Sequence, residues 1–422
     1  MSVVGIIAEY NPLHCGHEYH IKNARNLTGA EACVCVLSSN FVQRGEPGLV
    51  SKWARTKMAL LSGADLVVEL PSVFSCGSAE YFSAGAISIL ESLGFIDYLC
   101  FGSEKGEIEP LETAAQHLAF ENEFFKEILR AGLQDGLSFA ASRQNALKAT
   151  LENDKNTIDI INKPNNILAV EYIKAIKRMG SKIKPLTIKR KGQGYNETAH
   201  HIDKHDFSSA TSIRHYIEKM DDTSLCQHDS YILNSIPKPC IDVLCEEFRS
   251  GRGPVFLNSF GNTVLHLFRT MNINSISQLP YMENGLENRM KDAAFESATV
   301  EEFVNKVVTK RYPASRVKRI IICALTGLTN DFLESLKSNG YAQYIRILGF
   351  NETGRRILSD NKKKVSLPII TKPASFSKME SNLASQLFQH EIRSTAAYVL
   401  GYPDKNLRYG NVELTTSPIR VI

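Results

Sequence analysis

The apolar positions of the first hundred residues fall into short continuous runs separated by amphipathic stretches. VVGIIA (3–8), ACVCVLS (32–38), DLVVELP (65–71) and DYLCFGS (97–103) are too short and too evenly apolar for amphipathic helices, and they predict strands. Helical spacing fills the intervals at 17–28, 51–63 and 78–93, and IKPLTIKR (183–190) predicts one more strand. Strands buried on both faces and alternating with helices predict an α/β fold, a parallel sheet with helices on both faces.

Between Pro110 and Met179 the pattern is helical, interrupted at NKPNN (162–166), where a new helix, ILAVEYIKAIKRM, begins. This predicts a helical insertion at about 110–180 within a first domain spanning 1–225. Past that point strand-like runs give way to helical segments at 255–270, 299–310 and 314–338, so residues 226–422 are expected to form a mainly helical C-terminal domain. YIRILGF (344–350) and the tail from 400 fit either a helix or a strand.

A chain of 422 residues that is 43% hydrophobic and 22% charged has room for a large core, which excludes collagen-like, mucin-like and wholly disordered chains. The net charge of +4 is uneven: 19 Lys+Arg stand against 10 Asp+Glu from residue 301 onward, and 30 against 35 before it. A basic last quarter marks either a polyanion-binding end or a solvated charged face. The 9 cysteines are odd in number and form no C-x-x-C, and Cys33, Cys35, Cys100 and Cys323 lie in apolar runs. Reduced, buried thiols and a cytoplasmic location are expected. The N-terminus lacks a basic leader, and nowhere are there ~18 consecutive apolar residues, so neither export nor a membrane span is expected.

The chemistry concentrates in GIIAEYNPLHCGHEYHI (5–21). A strand runs into Asn11-Pro12, and His14-Cys15-Gly16-His17 then opens a helix, where free backbone N–H groups and the helix dipole favour an anion. Gly16 permits close backbone approach, and imidazoles donate to phosphoryl oxygens as charge builds on them. His14, Cys15, His17 and His20 also share a helix face suited to zinc, but no second ligand cluster accompanies them, so no metal site is predicted. Capping or core roles are the remaining alternative for these histidines.

This arrangement resembles the H-x-G-H motif of the nucleotidyltransferase superfamily, shared with class I aminoacyl-tRNA synthetases. The superfamily's second element, a hydroxyl-rich turn into a helix followed by Arg, has its counterpart in FSSATSIRHYI (207–217). There Ser209, Thr211 and Ser212 suit caps and phosphate contacts, and Arg214 suits departing pyrophosphate; an ordinary capped surface helix is the alternative. SFSKME (375–380) resembles a synthetase KMSKS loop only by chance.

Together with FVQRGEPGLVSKWARTKMALLSGADLVVELP (41–71), FGSE (101–104), KPNNILAVEYIKAI (163–176), IKRKGQGYN (188–196) and SSATSIR (208–214), the first segment is similar to the bacterial tRNA(Met) cytidine acetate ligase family. The similarity continues more loosely through RYPASRVKRIII (311–322), IRILGFNETGRRIL (345–358) and HEIRSTAAYVLGY (390–402). It implies a Rossmann-like nucleotidyltransferase fold and two reactions. Acetate and ATP give acetyladenylate and pyrophosphate, and the exocyclic amine of the wobble cytidine of elongator tRNA(Met) then takes the acetyl group. It implies ATP as co-substrate and does not imply a protein partner; magnesium is expected to accompany the ATP. His14, His17 and Arg214 carry over as catalytic residues. ATP contacts carry over to Ile7, Ala8, Glu9, Tyr10, Asn11, Pro12, Leu13, His14, Cys15, Gly16, His17, Glu18, Tyr19 and His20, to Gly102, to Asn165 or Asn166, and to Arg190.

Physical chemistry accords with parts of that transfer. Gly102 ends a strand, where nucleotides lie in open α/β sheets. Asn165 or Asn166 suits either adenine and ribose edges or a helix cap, and Arg190 suits phosphate or a solvated edge. For acetate, Arg44 and Lys52 are candidates, with Gln43 and Arg55 beside Trp53; helix capping with a buried Trp is the competing reading. For tRNA, Lys310, Arg311, Arg316, Lys318 and Arg319 are candidates, with Lys306, Arg355, Arg356, Lys362, Lys363 and Lys364 as further basic groups and Tyr312 and Tyr344 as stacking groups. A small-metabolite adenylyltransferase, or a non-catalytic RNA-binding protein on this fold, would share most of these features.

Overall fold

The structure is a computed structural model describing residues 1–421 apart from 138, 152–153, 155–156, 159–163, 191–206, 221–227 and 377–381, with the backbone alone at 140, 164 and 165. Five strands form the predicted parallel sheet: β1 (Val3–Ala8), β2 (Ala32–Ser38), β5 (Leu66–Leu70), β6 (Tyr98–Ser103) and β7 (Lys184–Lys189), in the order β5-β2-β1-β6-β7. Between β2 and β5 lies a small hairpin, β3 (Phe41–Val42) with β4 (Glu46–Pro47). The pleat sorts the sheet's side chains onto two cores. Val3, Val34, Val36, Leu66 and Val68 face one, against helices Ala79–Leu93 and Pro164–Met179. Val4, Ile6, Cys33, Cys35 and Val67 face the other, with helices Cys15–Thr28, Lys52–Leu61 and Lys238–Arg249.

The basic last quarter of the chain adds to this sheet. YIRILGF forms strand β8 (Ile345–Phe350), which pairs antiparallel with β5 and fully buries Ile345, Ile347 and Leu348. Short strands β9 (Ile369–Ile370) and β10 (Ile419–Arg420) pair parallel with β8. Helices make up most of the remainder; the predicted helix at 314–338 is two, Ala314–Thr326 and Asn330–Ser338, separated at Gly327 (φ 69°). The expected division at 225/226 falls among residues 221–227, outside those described. Among the described residues no helix is long and apolar enough to cross a membrane.

The order of the strands positions the site. From β1 the chain moves outward to β2 and β5, then crosses to β6 and β7 on the other side. In open α/β sheets such a reversal leaves a crevice at the carboxyl ends of the strands. The H-x-G-H segment follows β1, Gly102 lies at the end of β6 and Arg190 follows β7, so all three gather at that crevice.

Candidate ATP and phosphate site

After β1 the chain turns sharply at Tyr10, whose φ of 47° is unusual for a residue with a Cβ. His14 then caps helix Cys15–Thr28. Its Nδ1 accepts the Gly16 N–H at 3.1 Å, and the Nδ1 of His17 accepts the His14 N–H at 3.2 Å, a reciprocal capping box built from two histidines. Glu18 in the first turn and Arg25 in the last follow the helix dipole. Gly16 leaves the His14 ring in place: a Cβ there would lie 2.9 Å from His14 Cε1 and the ring would have to shift.

Burial lowers His14 to about 3 and His20 to about 4, and in both the positive charge of Arg190 adds to the effect. His17 is held well below its ordinary value by burial first, then by His14, Arg190 and His20. All three imidazoles are therefore neutral at neutral pH. Arg190, itself lowered by burial, follows β7 with its N–H donating to the Ser103 carbonyl at 3.0 Å. A Cβ on Gly102 would lie 3.0 Å from Arg190 Cγ, so the bare glycine leaves room for that side chain.

Ser209 caps helix Ala210–Glu218, accepting the Ser212 N–H at 3.1 Å, with the two hydroxyls 2.8 Å apart. Thr211 is exposed. Arg214 reaches back to β1's loop, donating from Nη1 to the Asn11 carbonyl at 2.8 Å and from Nη2 to Glu46 at 3.0 Å. The two sequence motifs, some two hundred residues apart, thus share one loop. Asn166, buried, accepts the Glu104 N–H at 3.1 Å and so braces the turn after β6. The Asn165 side chain lies outside the described atoms.

The acetate candidates separate. Lys52 is fully buried, and its ammonium lies among Glu413 (2.6 Å), Glu391 (3.1 Å) and Glu69, so it has no position from which to meet acetate. Arg55 is also fully buried and donates to the carbonyls of Glu9 (2.7 Å), Ser39 (2.5 Å) and Val50 (3.2 Å), tying the ends of β1 and β2 together. Arg44 remains half-buried at the crevice, where burial lowers its guanidinium and Glu9 and Glu46 oppose that. Glu9, expected among the ATP contacts, accepts the Gln43 N–H at 2.8 Å and is raised by burial.

The tRNA candidates separate as well. Lys310 and Arg311 are exposed, the latter paired with Glu283 at 3.0 Å. Arg316 donates to the Tyr281 carbonyl and Glu283, Lys318 to Glu46, and Arg319 to the Gln43 carbonyl at 3.1 Å. Lys318 and Arg319 thus join the C-terminal helices to the hairpin at the site, and Arg316 is tied within the C-terminal region, instead of the three forming a free basic face. Tyr344 is buried and offers no stacking surface, whereas Arg355, Arg356, Lys362, Lys363 and Lys364 are exposed.

The model of the HIGH Nucleotidyl Transferase family matches residues 1–412. A tRNA(Met) cytidine acetate ligase of Acetivibrio thermocellus is 44% identical over 419 residues, covering 99% of this chain and 100% of the relative. The chain belongs to the tRNA(Met) cytidine acetate ligase family. Another ligase of that name, from Caldicellulosiruptor saccharolyticus, is 43% identical over 100% of this chain and 99% of its own. Among solved structures, Thermotoga maritima TmcAL bound with alpha-thio ATP superposes with a TM-score of 0.90 at 34% identity, covering 100% of both chains. The apo form of Thermotoga maritima TmcAL gives 0.92.

Proposed function

We propose that the chain is an ATP-dependent ligase that activates acetate as acetyladenylate and transfers the acetyl group to the exocyclic amine of the wobble cytidine of elongator tRNA(Met). The observation that carries the reading is the crevice where the neutral His14–His17 pair, Gly102, Arg190 and Arg214 converge at the carboxyl ends of the parallel strands. The family relationship and the ATP analogue bound by the Thermotoga ligase favour it over a metabolite adenylyltransferase or a non-catalytic RNA-binding protein.

In the first reaction an acetate oxygen attacks the α-phosphorus, forming the acyl phosphate bond, and the bond to the β-phosphate bridging oxygen breaks to release pyrophosphate. The chain's part is positioning and charge stabilisation, which is what phosphoryl chemistry mostly demands. With Nδ1 of His14 and of His17 accepting backbone N–H groups, each neutral ring keeps its proton on Nε2 as a donor for phosphoryl oxygens. Arg190 adds charge beside them, and Arg214 serves the leaving pyrophosphate. In the second reaction the cytidine amine attacks the acyl carbon, AMP leaves, and the amine's proton is lost.

Arg44 is our candidate for the acetate carboxylate, since it is the acetate candidate left at the crevice. Among the described residues the single carboxylate cluster with metal-ligand spacing, Glu69, Glu391 and Glu413, encloses the Lys52 ammonium, so that donor set does not fit magnesium. Magnesium would enter with ATP, on phosphate oxygens and water. The exposed basic residues Lys310, Arg311, Arg355, Arg356 and Lys362–Lys364 are the candidates for docking tRNA. The reading is tested by incubating the protein with ATP and acetate without tRNA. Acetate-dependent pyrophosphate release with trapped acetyladenylate is expected, and release independent of acetate would count against it.

A further inference from the structure

The hairpin of β3 and β4 stands between the ATP crevice and the C-terminal helices. At its turn, Gly45 (φ 75°) packs so closely on helix Ala314–Thr326 that a Cβ would lie 2.4 Å from the Arg319 backbone nitrogen. Only glycine accepts both that contact and that φ. The next residue, Glu46, joins the two sides. Its Oε1 accepts from Lys318 Nζ at 2.8 Å, and its Oε2 accepts from Arg214 Nη2 at 3.0 Å. Burial alone would raise the Glu46 carboxyl, but Arg214, Lys318 and Arg44 outweigh it and keep the group ionised.

Arg214 is thereby held by Glu46 and the Asn11 carbonyl, with a longer contact from Nη2 to the Thr211 hydroxyl at 3.4 Å, and its planar fork has one orientation. Its Nε–H and second Nη1–H meet no acceptor among the described residues, leaving donors for an anion. We propose that Glu46 is a positioning residue that links helix Ala314–Thr326 to the ATP site: it sets the Arg214 guanidinium for the departing pyrophosphate, and Lys318 in turn sets Glu46. The inference rests on the ligase reading given above.

Removing the Glu46 charge has two opposed consequences. It lessens repulsion of the triphosphate, so ATP binding in the ground state holds or improves. It also frees Arg214 to swing, which matters only as charge develops on the leaving group. A positioning role therefore separates kcat from KM, where a general structural defect would damage both.

The test is acetate-dependent pyrophosphate release by the full chain, measured for wild type, Glu46→Gln, Lys318→Met and the double variant. Glu46→Gln is expected to lower kcat about tenfold or more with KM for ATP unchanged or lower. Lys318→Met is expected to lower kcat about two- to fivefold, and to add nothing in the Glu46→Gln background. A Glu46→Gln kcat within about twofold of wild type, or losses that multiply in the double variant, would overturn the proposal. Should Glu46→Gln fail to fold, Lys318→Arg, which keeps the ion pair, must exceed Lys318→Met, and equal rates overturn it. Absence of acetate-dependent release in wild type would instead sink the ligase reading.

Discussion

The imidazoles of His14 and His17 are stacked, with centroids 3.7 Å apart and planes 28° from parallel, and each ring accepts a backbone N–H of the same helix turn. Burial first disfavours a positive charge on either ring; His14 adds to this at His17, and Arg190 at both. In the proposed reaction the pair would serve as two fixed neutral donors at the start of a helix, not as an acid and a base.

Replacing His17 with alanine removes one donor and half of the capping box. Loss of a preorganised donor to a developing oxyanion slows the affected step by about a hundredfold to a thousandfold. The expected outcome is that fall in acetate-dependent pyrophosphate release, with circular dichroism unchanged; release at the wild-type rate would remove His17 from the chemistry.

Gly16→Ala places a methyl 2.9 Å from His14 Cε1. Because Gly16 lies in the first turn of a helix, where alanine is a better helix former, the fold itself should tolerate the change. The His14 ring must move, so ATP affinity is expected to drop while thermal stability stays near wild type. Calorimetric titration with ATP, alongside a melting curve, distinguishes this from simple unfolding.

Acid should unfold the protein through the same histidines. The unfolded chain takes up protons near the ordinary histidine value of 6.5, whereas the folded chain refuses them until about 4 at His20 and about 3 at His14. A lowered folded value means that stability present above 6.5 is lost progressively as pH falls through that window. His20, whose buried Nε2 meets no partner among the described residues, provides the check. His20→Leu should show a shallower fall of denaturant stability between pH 6.5 and about 4 than wild type; an unchanged slope contradicts the assignment.

Lys52 yields the opposite kind of outcome. Its ammonium lies among Glu69, Glu391 and Glu413 in the interior, with Arg346 also close to Glu413, and burial, then Glu391, push the Glu69 carboxyl up to about 8. Lys52→Met leaves buried carboxylates uncompensated, for which about 3–5 kcal/mol is the usual loss. Urea unfolding should show it, while any folded fraction keeps its KM for acetate. A raised KM with unchanged stability would return Lys52 to the acetate site.

Local signals carried most of the fold. Continuous apolar runs marked β1, β2, β5, β6 and β7, and the H-x-G-H and S-x-T-S-x-R segments marked two walls of the crevice. What stayed hidden depends on contacts between distant residues. Strand β8 is six residues long, and a short apolar run reads equally as helix or strand until its antiparallel partner is known. Lys52 and Arg55 look like surface donors on a helix, because nothing nearby reveals carboxylates at 391 and 413 or the carbonyls closing over them. Glu46 gave no signal for the same reason: its partners are residues 214 and 318.

The central claim is that this crevice activates acetate for transfer to tRNA. It is tested most directly by incubating the protein with ATP, radiolabelled acetate and bulk bacterial tRNA, and comparing wild type with Arg214→Ala. The account predicts label fixed in a methionine tRNA by wild type and lost in the variant. Label absent from RNA, with no acetyladenylate formed, would contradict it.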